Sequence, residues 1–482
     1  MLRIGALVVL AATAGNLAFA QDASLVYVAE QLDIPNDGNE SGHIDRVNID
    51  GEASGHDDDE AELDSLLELA DEDVSKLSRV NVSRQATMAP SLNTEVTTVN
   101  RQKSTIGRSP AAVFVISSDM IKRSGARTIP DLLRMAPGVQ VARADANRWL
   151  VSIRGANGRF ANKLLVQIDG RTVYTPLFGS TYWDVQDVLF EDVERIEVVR
   201  GPGAAVWGTN AVNGVINVIT KSAKDTQGTF VEAGVGTEER GFTSARHGWR
   251  TKNGVDMRVY GKWFERDEAT VPNGEAHDDW RISRGGFRAD WQPDSTSNVT
   301  FQGDVYDGGS GSRFNVSAPT LTYSQSIIED TYTSGYNGLL RYSQTLSADN
   351  QWSIQGYFDH TNRQLEQLGF GEKRDTIDID FQHQFKMLED HSIVWGACYR
   401  NSRDQIRNAP LFLVFDPDSR AVDQFSYFVQ DEITLLSDAL FLTVGSKFTH
   451  SDYTPFEFQP TARLLWTPSE RQSLWASYSR AV

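Results

Sequence analysis

Cysteine is almost absent from this chain, since Cys398 is the single one among 482 residues. One thiol cannot form an internal disulfide, and no histidine lies beside it in the sequence, so we predict a packed, structural thiol. The chain also lacks a long apolar run after residue 20, where no segment reaches the roughly 20 uncharged residues of a membrane-spanning helix. Helices are therefore not expected to carry the rest of the chain across a membrane.

Positive charge is scarce as well: 46 Lys and Arg stand against 65 Asp and Glu, for a net charge of −19. Residues 21–73 hold 18 acidic residues and one arginine, and they account for −17 of that charge. An acidic segment of this kind argues against nucleic acid as a partner. We interpret the run His56–Glu60 as a solvated acidic stretch rather than a metal site, and we predict that residues 21–86 form an acidic, largely disordered extension.

Signatures of catalysis are missing too. No Ser/His/Asp order, metal-ligand spacing or pair of carboxylates stands out, so we predict neither an enzyme nor a bound cofactor or metal. The glycine-rich run at residues 200–221, RGPGAAVWGTNAVNGVINVITK, lacks the lysine of a phosphate-binding loop and leads into β-branched residues rather than a helix. We predict that its glycines serve positive φ angles and close packing, with Asn213-Gly214 as a tight turn.

What the chain does have begins at its N-terminus, MLRIGALVVLAATAGNLAFA. Arg3 gives a positive start, Ile4–Ala14 an apolar run and Ala18–Ala20 a small-x-small cleavage site, a pattern typical of a secretory signal peptide. We predict that residues 1–20 are removed and that the mature protein is exported.

Residues 87–224 mix short helices with strands. We interpret residues 87–110 as a linker region and residues 111–224 as a compact α+β domain. Thr128 is a candidate N-cap, Pro130 lies in the first helical turn, and Pro137-Gly138 would end the helix. The predicted strands are 111–117, 149–155, 163–170, 193–200 and 214–221.

From about residue 228 onward, polar and apolar residues alternate strictly. Val255, Met257 and Val259 fall on one face of a predicted strand, and Asp256 and Arg258 on the other. We count about 13 such strands, joined alternately by short and long connections. The short connections are predicted near residues 251–253, 293–296, 347–349, 388–390, 436–439 and 467–471, and the long ones near 265–279, 307–336, 360–373, 403–421 and 451–457.

Alternation alone also fits a soluble sandwich, but connections that alternate in length are typical of an outer-membrane barrel. Tryptophans near the short turns indicate the same, because aromatic residues gather at membrane interfaces. These are Trp249, Trp291, Trp352, Trp395, Trp466 and Trp475. Residues 225–482 are therefore predicted to form a transmembrane β-barrel in which Cys398 faces the lumen.

The run from Ala111 to Lys224 resembles the plug domain of TonB-dependent outer-membrane receptors. It carries, in order, PAAVFVISSDMIKRSG, IPDLLRMAPGVQV, VSIRGANGRFANKLLVQIDGRTVY and DVERIEVVRGPGAAVWGTNAVNGVINVITK. The likeness covers about residues 90–482, and its barrel part depends on architecture and on FVQDE at residues 428–432. It implies an antiparallel membrane β-barrel with an N-terminal α+β plug in the outer membrane of a Gram-negative cell. The implied activity is active import of a scarce chelate, in first place a ferric siderophore.

The resemblance also implies partners, namely the energy-transducing protein TonB, the barrel assembly machinery and outer-membrane lipid. TonB binds a short extended segment before the plug, and this place is filled by Glu95, Val96, Thr97, Thr98, Val99 and Asn100. β-Branched residues suit an extended strand that adds to the edge of a partner's sheet. Val80–Ser83 is a second candidate, and an ordinary linker strand is the alternative reading of the first.

Two plug strands end in arginine, Arg154 and Arg200, which look like family arginines that pair with barrel carboxylates. Glu432 is the candidate partner, so we predict a plug–barrel latch of these three residues. The alternative is that both arginines cap their strands in solvent.

The plug segments expected to reach the ligand hold arginines and aromatics, which suit an anionic, partly aromatic chelate. The candidate ligand-binding residues are Arg148, Trp149, Asn157, Arg159, Phe160, Tyr174, Phe178, Tyr182 and Trp183. Packing in the plug or against the barrel wall is the alternative for each of them.

The sequence departs from the family in its number of strands. Barrels of this kind have about 22 strands, whereas this chain reaches LWASYSRAV after about 13. An open sheet would leave two edges unpaired in lipid, so we expect a truncated receptor that cannot close a barrel alone. Import of cobalamin or another non-iron ligand, or a signal-transducing receptor, are alternatives; a passive porin is disfavoured because it needs no plug.

Overall fold

The computed structural model describes residues 25–32, 91–155, 158, 160–272, 274–317, 324–410, 413–436, 439–469 and 471–482. The predicted signal peptide, the alternative TonB-binding segment Val80–Ser83 and all of the predicted extension except residues 25–32 lie outside the described residues, as do Asn157 and Arg159. Within the described part of the chain, no helix has both the length and the apolar character needed to cross a membrane.

Residues 91–226, called the plug from here on, form an α+β domain. Its strands are β2 (Glu95–Val96), β3 (Ser104–Thr105), β4 (Ala112–Ser117), β5 (Val139–Arg143), β6 (Trp149–Ile153), β7 (Leu164–Ile168), β8 (Arg171–Thr172), β9 (Tyr174–Thr175), β10 (Ser180–Thr181), β11 (Val193–Arg200) and β12 (Gly214–Thr220), preceded in the chain by β1 (Leu25–Leu32). Its helices are α1 (Ser118–Ser124), α2 (Ile129–Leu133) and α3 (Ala204–Trp207), with 3-10 turns at Ile106–Arg108, Trp183–Val185, Phe190–Asp192 and Lys224–Thr226.

The centre of the plug is a five-stranded sheet in the order β4-β11-β12-β7-β8. β12 pairs antiparallel with β11 and parallel with β7, which buries it on both sides of the ladder. Ile116, Ile196 and Ile216 are fully buried in one apolar cluster, and Val113 and Val215 belong to another. β-Branched residues favour strands of this kind, and the five strands predicted from them are confirmed.

Both longer plug helices begin at side-chain caps. Thr128 Oγ1 accepts a hydrogen bond from Asp131 N (3.3 Å), which confirms the predicted N-cap of α2. Ser117 Oγ caps α1 by accepting from Met120 N (3.3 Å), and Gly125 ends α1 at a φ of +67°. α2 itself is short, because regular helix ends at Leu133, ahead of Pro137.

The glycine-rich run 200–221 holds the close contacts predicted for it. A Cβ on Gly214 would lie 2.5 Å from Val199 O and 2.7 Å from Ile153 Cδ1, so only glycine fits there. Gly208 has a φ of +89° and lies against the side chain of Lys447. The run also contains α3, a helical turn that the sequence interpretation did not include.

Thirteen consecutive strands follow the plug and form what we call the barrel sheet, each antiparallel to the next, with β1 added against the last of them. They are β13 (Gly228–Gly234), β14 (Glu239–Arg250), β15 (Val255–Arg266), β16 (Trp280–Trp291), β17 (Ser297–Ser317), β18 (Ser324–Ser347), β19 (Asn350–Leu365), β20 (Phe370–Leu388), β21 (His391–Arg407), β22 (Ser419–Leu436), β23 (Leu440–Ser451), β24 (Glu457–Ser469) and β25 (Gln472–Ser479). The predicted strand number is therefore confirmed.

The barrel sheet has its apolar face outside and its polar face towards the plug. On β15, Val259 and Trp263 are 42% and 37% exposed, whereas Asp256 and Arg258 are buried. On β21, Cys398 lies on the inner face, where its Sγ is 3.5 Å from Asp378 Oδ2. Apolar-out and polar-in is the reverse of a soluble protein and is typical of a membrane barrel.

The six short connections lie where the alternation placed them, but three long ones are shorter than predicted. The one predicted near 403–421 comprises residues 408–418. β17 and β18 stay paired from Ser297↔Gln344 to Ser317↔Ser324, so much of the range 307–336 is strand. β19 and β20 likewise leave only residues 366–369 between them. Glycine and serine made residues 307–317 look like a loop, yet they are held as strand by their pairing with β18. Trp475 is a further correction, because it packs inward against Phe441 and Leu465 rather than joining an outer aromatic belt.

Candidate functional site

Ion pairs join the plug to the inner face of the barrel sheet. Plug carboxylates meet barrel cations in the pairs Arg363–Asp184 (2.7 Å), Lys262–Asp187 (2.6 Å), Arg246–Asp192 (2.5 Å) and Arg258–Asp192 (3.4 Å). Plug arginines meet barrel carboxylates in Arg101–Asp380 (3.0 Å), Arg143–Glu238 (2.6 Å) and Arg171–Asp359. Removing one member of a buried ion pair leaves the other charge buried without a partner, which destabilises the protein by about 3–5 kcal/mol. The plug is thus held to the barrel sheet by ion pairs, some with the acid on the plug and some with the acid on the barrel sheet.

Asp169, in the turn between β7 and β8, forms hydrogen bonds with both the plug and the barrel sheet. Its carboxylate accepts hydrogen bonds from Thr220 N and Oγ1 in the plug (2.8 Å each) and from Gln302 Nε2 of β17 (3.0 Å). Burial raises the pKa of Asp169, but the Arg288 guanidinium and these hydrogen bonds outweigh burial, so its pKa lies below the ordinary value. Asp169 is therefore held as a carboxylate.

A cavity of about 490 Å³ opens between the plug and the barrel sheet, within the range of roughly 300–1,000 Å³ common for ligand pockets. Its barrel-side walls come from the ends of β17, β19 and β20 and from Leu413 and Phe415, all at the side of the long connections. The plug side contributes Ala144 to Leu150, β10 and the 3-10 turn after it. The cavity therefore lies at the end of the plug opposite to the short turns.

Six of the nine residues predicted to bind ligand line this one cavity: Arg148, Trp149, Phe160, Phe178, Tyr182 and Trp183. Phe178 stacks on Tyr182 with ring centroids 4.3 Å apart, and Phe160 meets Phe178 edge to face at 5.5 Å. Tyr174 lines a smaller neighbouring cavity instead. Asn157 and Arg159 lie outside the described residues. The structure brings the six together, while their role in binding stays a prediction.

Several cavity residues were missed by the sequence interpretation, which considered only plug residues. Arg363 reaches in from β19, its guanidinium carbon 4.0 Å from the centroid of Tyr182 and its Nη2 bound to Asp184. Phe314, Phe370 and Phe415 add aromatic walls from the barrel side. The sequence analysis placed Arg363 in a long connection, whereas β19 extends to Leu365, and nothing in the sequence indicated which plug residue Arg363 meets.

The predicted TonB-binding segment, residues 95–100, lies at the other end of the plug, where Val96, Thr98, Val99 and Asn100 are buried and Glu95 is exposed. Glu197 of β11, which has no exposed surface, accepts hydrogen bonds from Thr97 N (2.9 Å), Thr98 N (2.8 Å) and Arg195 Nε (2.8 Å). Trp207 Nε1 donates to Thr98 O at 2.6 Å. The side chains of Val96 and Val99 belong to one of the two apolar clusters of the plug. In this state the segment is an integral part of the plug, and its first two residues, Glu95–Val96, pair with β3.

The barrel sheet also holds this segment. Arg463 Nη1 of β24 donates to Asn100 Oδ1 (2.9 Å) and to Val99 O (3.3 Å). Arg101, which has a φ of +56°, makes a two-fold contact with Asp380, and Gln382 Nε2 donates to its carbonyl at 2.9 Å. Any movement of residues 95–101 out of the plug must therefore break contacts with both bodies.

The predicted latch residues have the following contacts. Arg200 Nη1 donates to Pro137 O (2.9 Å), and burial together with the nearby charge of Arg154 lowers the pKa of Arg200. Glu432 lies on the inner face of β22, where the positive charge acting on it is that of Arg108. The pairing of Glu432 with Arg154 and Arg200 stays a prediction, and the contact described for Arg200 is internal to the plug.

Two family models match this chain. The model described as TonB-dependent Receptor Plug Domain matches residues 105–215, and TonB dependent receptor-like, beta-barrel matches residues 241–482. The chain belongs to the TonB-dependent receptors. Together the two matches cover most of the plug, without residues 91–104, and most of the barrel sheet. The resemblance seen in the sequence is therefore confirmed, as is the fold of a plug combined with an antiparallel outer-membrane barrel sheet.

The curated relatives of this TonB-dependent receptor include vitamin B12 transporters. The Vitamin B12 transporter BtuB of Vibrio vulnificus is 26% identical over 318 residues, which are 64% of this chain and 50% of that protein. The chain thus spans about half the length of that curated relative.

Solved structures of this fold include the ferric enterobactin receptor PfeA of Pseudomonas aeruginosa and the ferric citrate transporter FecA. Each has a TM-score of 0.61 and 18% identity, and the match covers 78% of this chain and 63% of the other. At that identity the likeness concerns the fold.

Proposed function

We propose that this receptor takes part in the TonB-dependent active import of a scarce chelate across the outer membrane, with the plug gating the barrel. We propose a ferric siderophore as the first ligand class to test. Cobalamin is the alternative, and the similarity to the vitamin B12 transporter BtuB supports it. The single observation that carries the proposal is the cavity between plug and barrel sheet, where residues of both bodies would contact one ligand. A ligand bound there can influence how the plug is held.

The proposed energy-coupling partner is TonB, acting on residues 95–100 from the periplasmic side. This segment lies at the plug end away from the cavity, as a handle for pulling would require. Because its backbone is bound by Glu197 and Arg463, it must leave the plug before it can add to a partner's sheet. Binding of TonB therefore needs a prior or simultaneous opening of this region.

A signal-transducing receptor and a passive porin are the other functions considered. The plug is bonded to the inner face of the barrel sheet along many strands, which disfavours a porin because a porin needs an open lumen. No described residue favours a signalling domain, since only residues 25–32 of the extension concerned are described, and they form β1 against the barrel sheet.

Uptake measurements test the proposal. Cells that produce the protein should accumulate radiolabelled ferric siderophore or cobalamin above cells that lack it, and deletion of TonB or collapse of the proton gradient should abolish the difference. Uptake that persists without TonB would contradict active import. Absence of uptake for every chelate tried, with the protein present in the outer membrane, would contradict the import function itself.

A further inference from the structure

One arginine of the barrel sheet holds the predicted TonB-binding segment without a carboxylate beside it. Arg463 lies on the inner face of β24 and is 4% exposed. Its Nη1 donates to Asn100 Oδ1 at 2.9 Å and to Val99 O at 3.3 Å, and both acceptors are uncharged. Among the described residues, no carboxylate forms an ion pair with its guanidinium. This is unusual, because buried charges in proteins are normally paired.

Cations elsewhere on the inner face of the barrel sheet hold the plug through acids. Lys262 lies 2.6 Å from Asp187, and Arg363 lies 2.7 Å from Asp184. A buried pair of this kind resists separation, because each charge would be left without its partner. Arg463 differs in this respect, since the groups that leave it are neutral. Movement of residues 99–100 away from Arg463 therefore separates no pair of opposite charges.

The buried guanidinium of Arg463 is only partly compensated in the closed state. A charged donor binds an ionised acceptor more strongly than a neutral one, and its burial is costly unless a counter-charge is present. Departure of Val99 and Asn100 would open Arg463 to water, which hydrates the charge again. The contact thus fixes where the segment lies, while the recovered hydration offsets part of the free energy needed to release it.

From these observations we propose that Arg463 is a positioning residue for energy coupling. It sets the position of residues 95–100 through neutral acceptors and keeps the free energy of their release low, because its charge stays uncompensated in the closed state. The side chain at position 100 is decisive for this arrangement, since an aspartate there would complete an ion pair and lock the segment. The inference rests on the proposed action of TonB on this segment and adds a residue of the barrel sheet that controls it.

Asn100→Asp tests the proposal, because it places a carboxylate where Asn100 Oδ1 lies 2.9 Å from Arg463 Nη1. The guanidinium is already buried in the wild type, so only the burial of the new carboxylate opposes the pair. We expect the amides of Thr97 and Thr98 to exchange at least about tenfold more slowly, measured by mass spectrometry on the purified full chain in detergent. Asn253→Asp adds the same charge in the exposed turn between β14 and β15 and should exchange like the wild type. Equal or faster exchange in Asn100→Asp would overturn the proposal.

A double variant separates the ion pair from any other effect of the aspartate. Arg463→Gln in the Asn100→Asp background removes the cation and leaves the buried carboxylate without a partner. The amides of Thr97 and Thr98 should then exchange faster than in the wild type. If the slow exchange persisted in the double variant, the aspartate would be acting through the plug alone, and the role of Arg463 would be refuted.

Binding of the purified C-terminal domain of TonB to the same proteins tests the functional consequence. Because TonB needs the released segment, a locked segment lowers the fraction of competent receptor. Affinity should be about tenfold weaker in Asn100→Asp and return at least to the wild-type value in the double variant. Unchanged affinity despite slow exchange would show that Arg463 has no part in energy coupling. No binding of TonB to the wild type would contradict the proposed partner, whereas the exchange rates would still decide how Arg463 holds the segment.

Discussion

At the cavity end of the plug, aromatic side chains of the plug and the barrel sheet surround open space. At the opposite end, the amides of Thr97 and Thr98 and the carbonyls of Thr98, Val99 and Arg101 are all hydrogen-bonded, to the plug or to the barrel sheet. The cavity end can gain contacts when a molecule binds, because its side chains border unfilled space. The second end can only lose contacts when it moves.

This difference has a consequence for how the two ends could communicate. A ligand at the cavity touches Arg363 and the plug residues around Asp184, and so it acts directly on one of the pairs that hold the plug to the barrel sheet. The segment at residues 95–101 needs energy from elsewhere to be released, since its backbone is hydrogen-bonded to the plug and to the barrel sheet in the closed state. We expect substitutions at the two ends to have effects of very different size on the stability of the plug.

The largest effect is expected from Glu197→Ala. It removes the acceptor for the amides of Thr97 and Thr98 and leaves Arg195 without its buried partner, which should cost about 3–5 kcal/mol locally. Hydrogen exchange measured by mass spectrometry should show the two amides exchanging at least about a hundredfold faster than in wild type.

Glu194→Ala is the matched control for this experiment. Glu194 contacts the same arginine but is largely exposed, so its loss should cost no more than about 1 kcal/mol. Unchanged protection of the two amides in Glu197→Ala would contradict the view that Glu197 holds the segment.

An effect of intermediate size on the stability of the protein is expected from removing the Asp169 carboxylate, and this effect depends on pH. Because the pKa of Asp169 is lowered in the folded protein, its carboxylate contributes stability above the ordinary value of about 3.9, and this contribution is lost as the pH falls through the folded-state pKa. Asp169→Asn should therefore lower the melting temperature near neutral pH, by a few degrees, and reduce the further loss measured between pH 5 and pH 2. Asp225→Asn, in an exposed plug turn with Ser222, should keep the wild-type acid profile. An acid profile of Asp169→Asn equal to that of wild type would show that other groups control the acid response.

Much of the fold could be predicted from the sequence, because it follows from local patterns. Alternating residues predicted the barrel strands and their inward face, and β-branched runs predicted the plug strands. The lengths of β17 and β18 could not be predicted, since their glycine- and serine-rich ends are strands only through pairing with each other. Trp475 was misplaced for a simpler reason. It was assigned to the outer aromatic belt because it lies near a turn, whereas the alternation of β25 places it on the inner face together with the buried Ser473.

The site was predictable in its residue types but not in its pairings. Arginine and aromatic residues in the plug predicted six members of the cavity, as side chains suited to binding. Their partners are far away in the chain, as for Asp184 with Arg363 or Thr97 with Glu197. No local pattern encodes such a meeting. The sequence therefore indicated arginines suited to an anionic chelate, but not the carboxylates that lie beside Arg148 and Arg363.

The smallest effect is expected from Phe160→Ala at the cavity end. Phe160 is 62% exposed and its described ring contact is the edge-to-face one with Phe178, so its loss should change the free energy of unfolding by no more than about 0.5–1 kcal/mol. Exchange of the Thr97 and Thr98 amides should stay at the wild-type rate, since no contact of Glu197 or Arg463 is altered. A melting curve measures the change in stability, and hydrogen exchange on the same sample measures the protection of the two amides. Should Phe160→Ala release those amides as Glu197→Ala does, the two ends would form one cooperative unit, and the contrast between an incomplete end and a complete end would not survive.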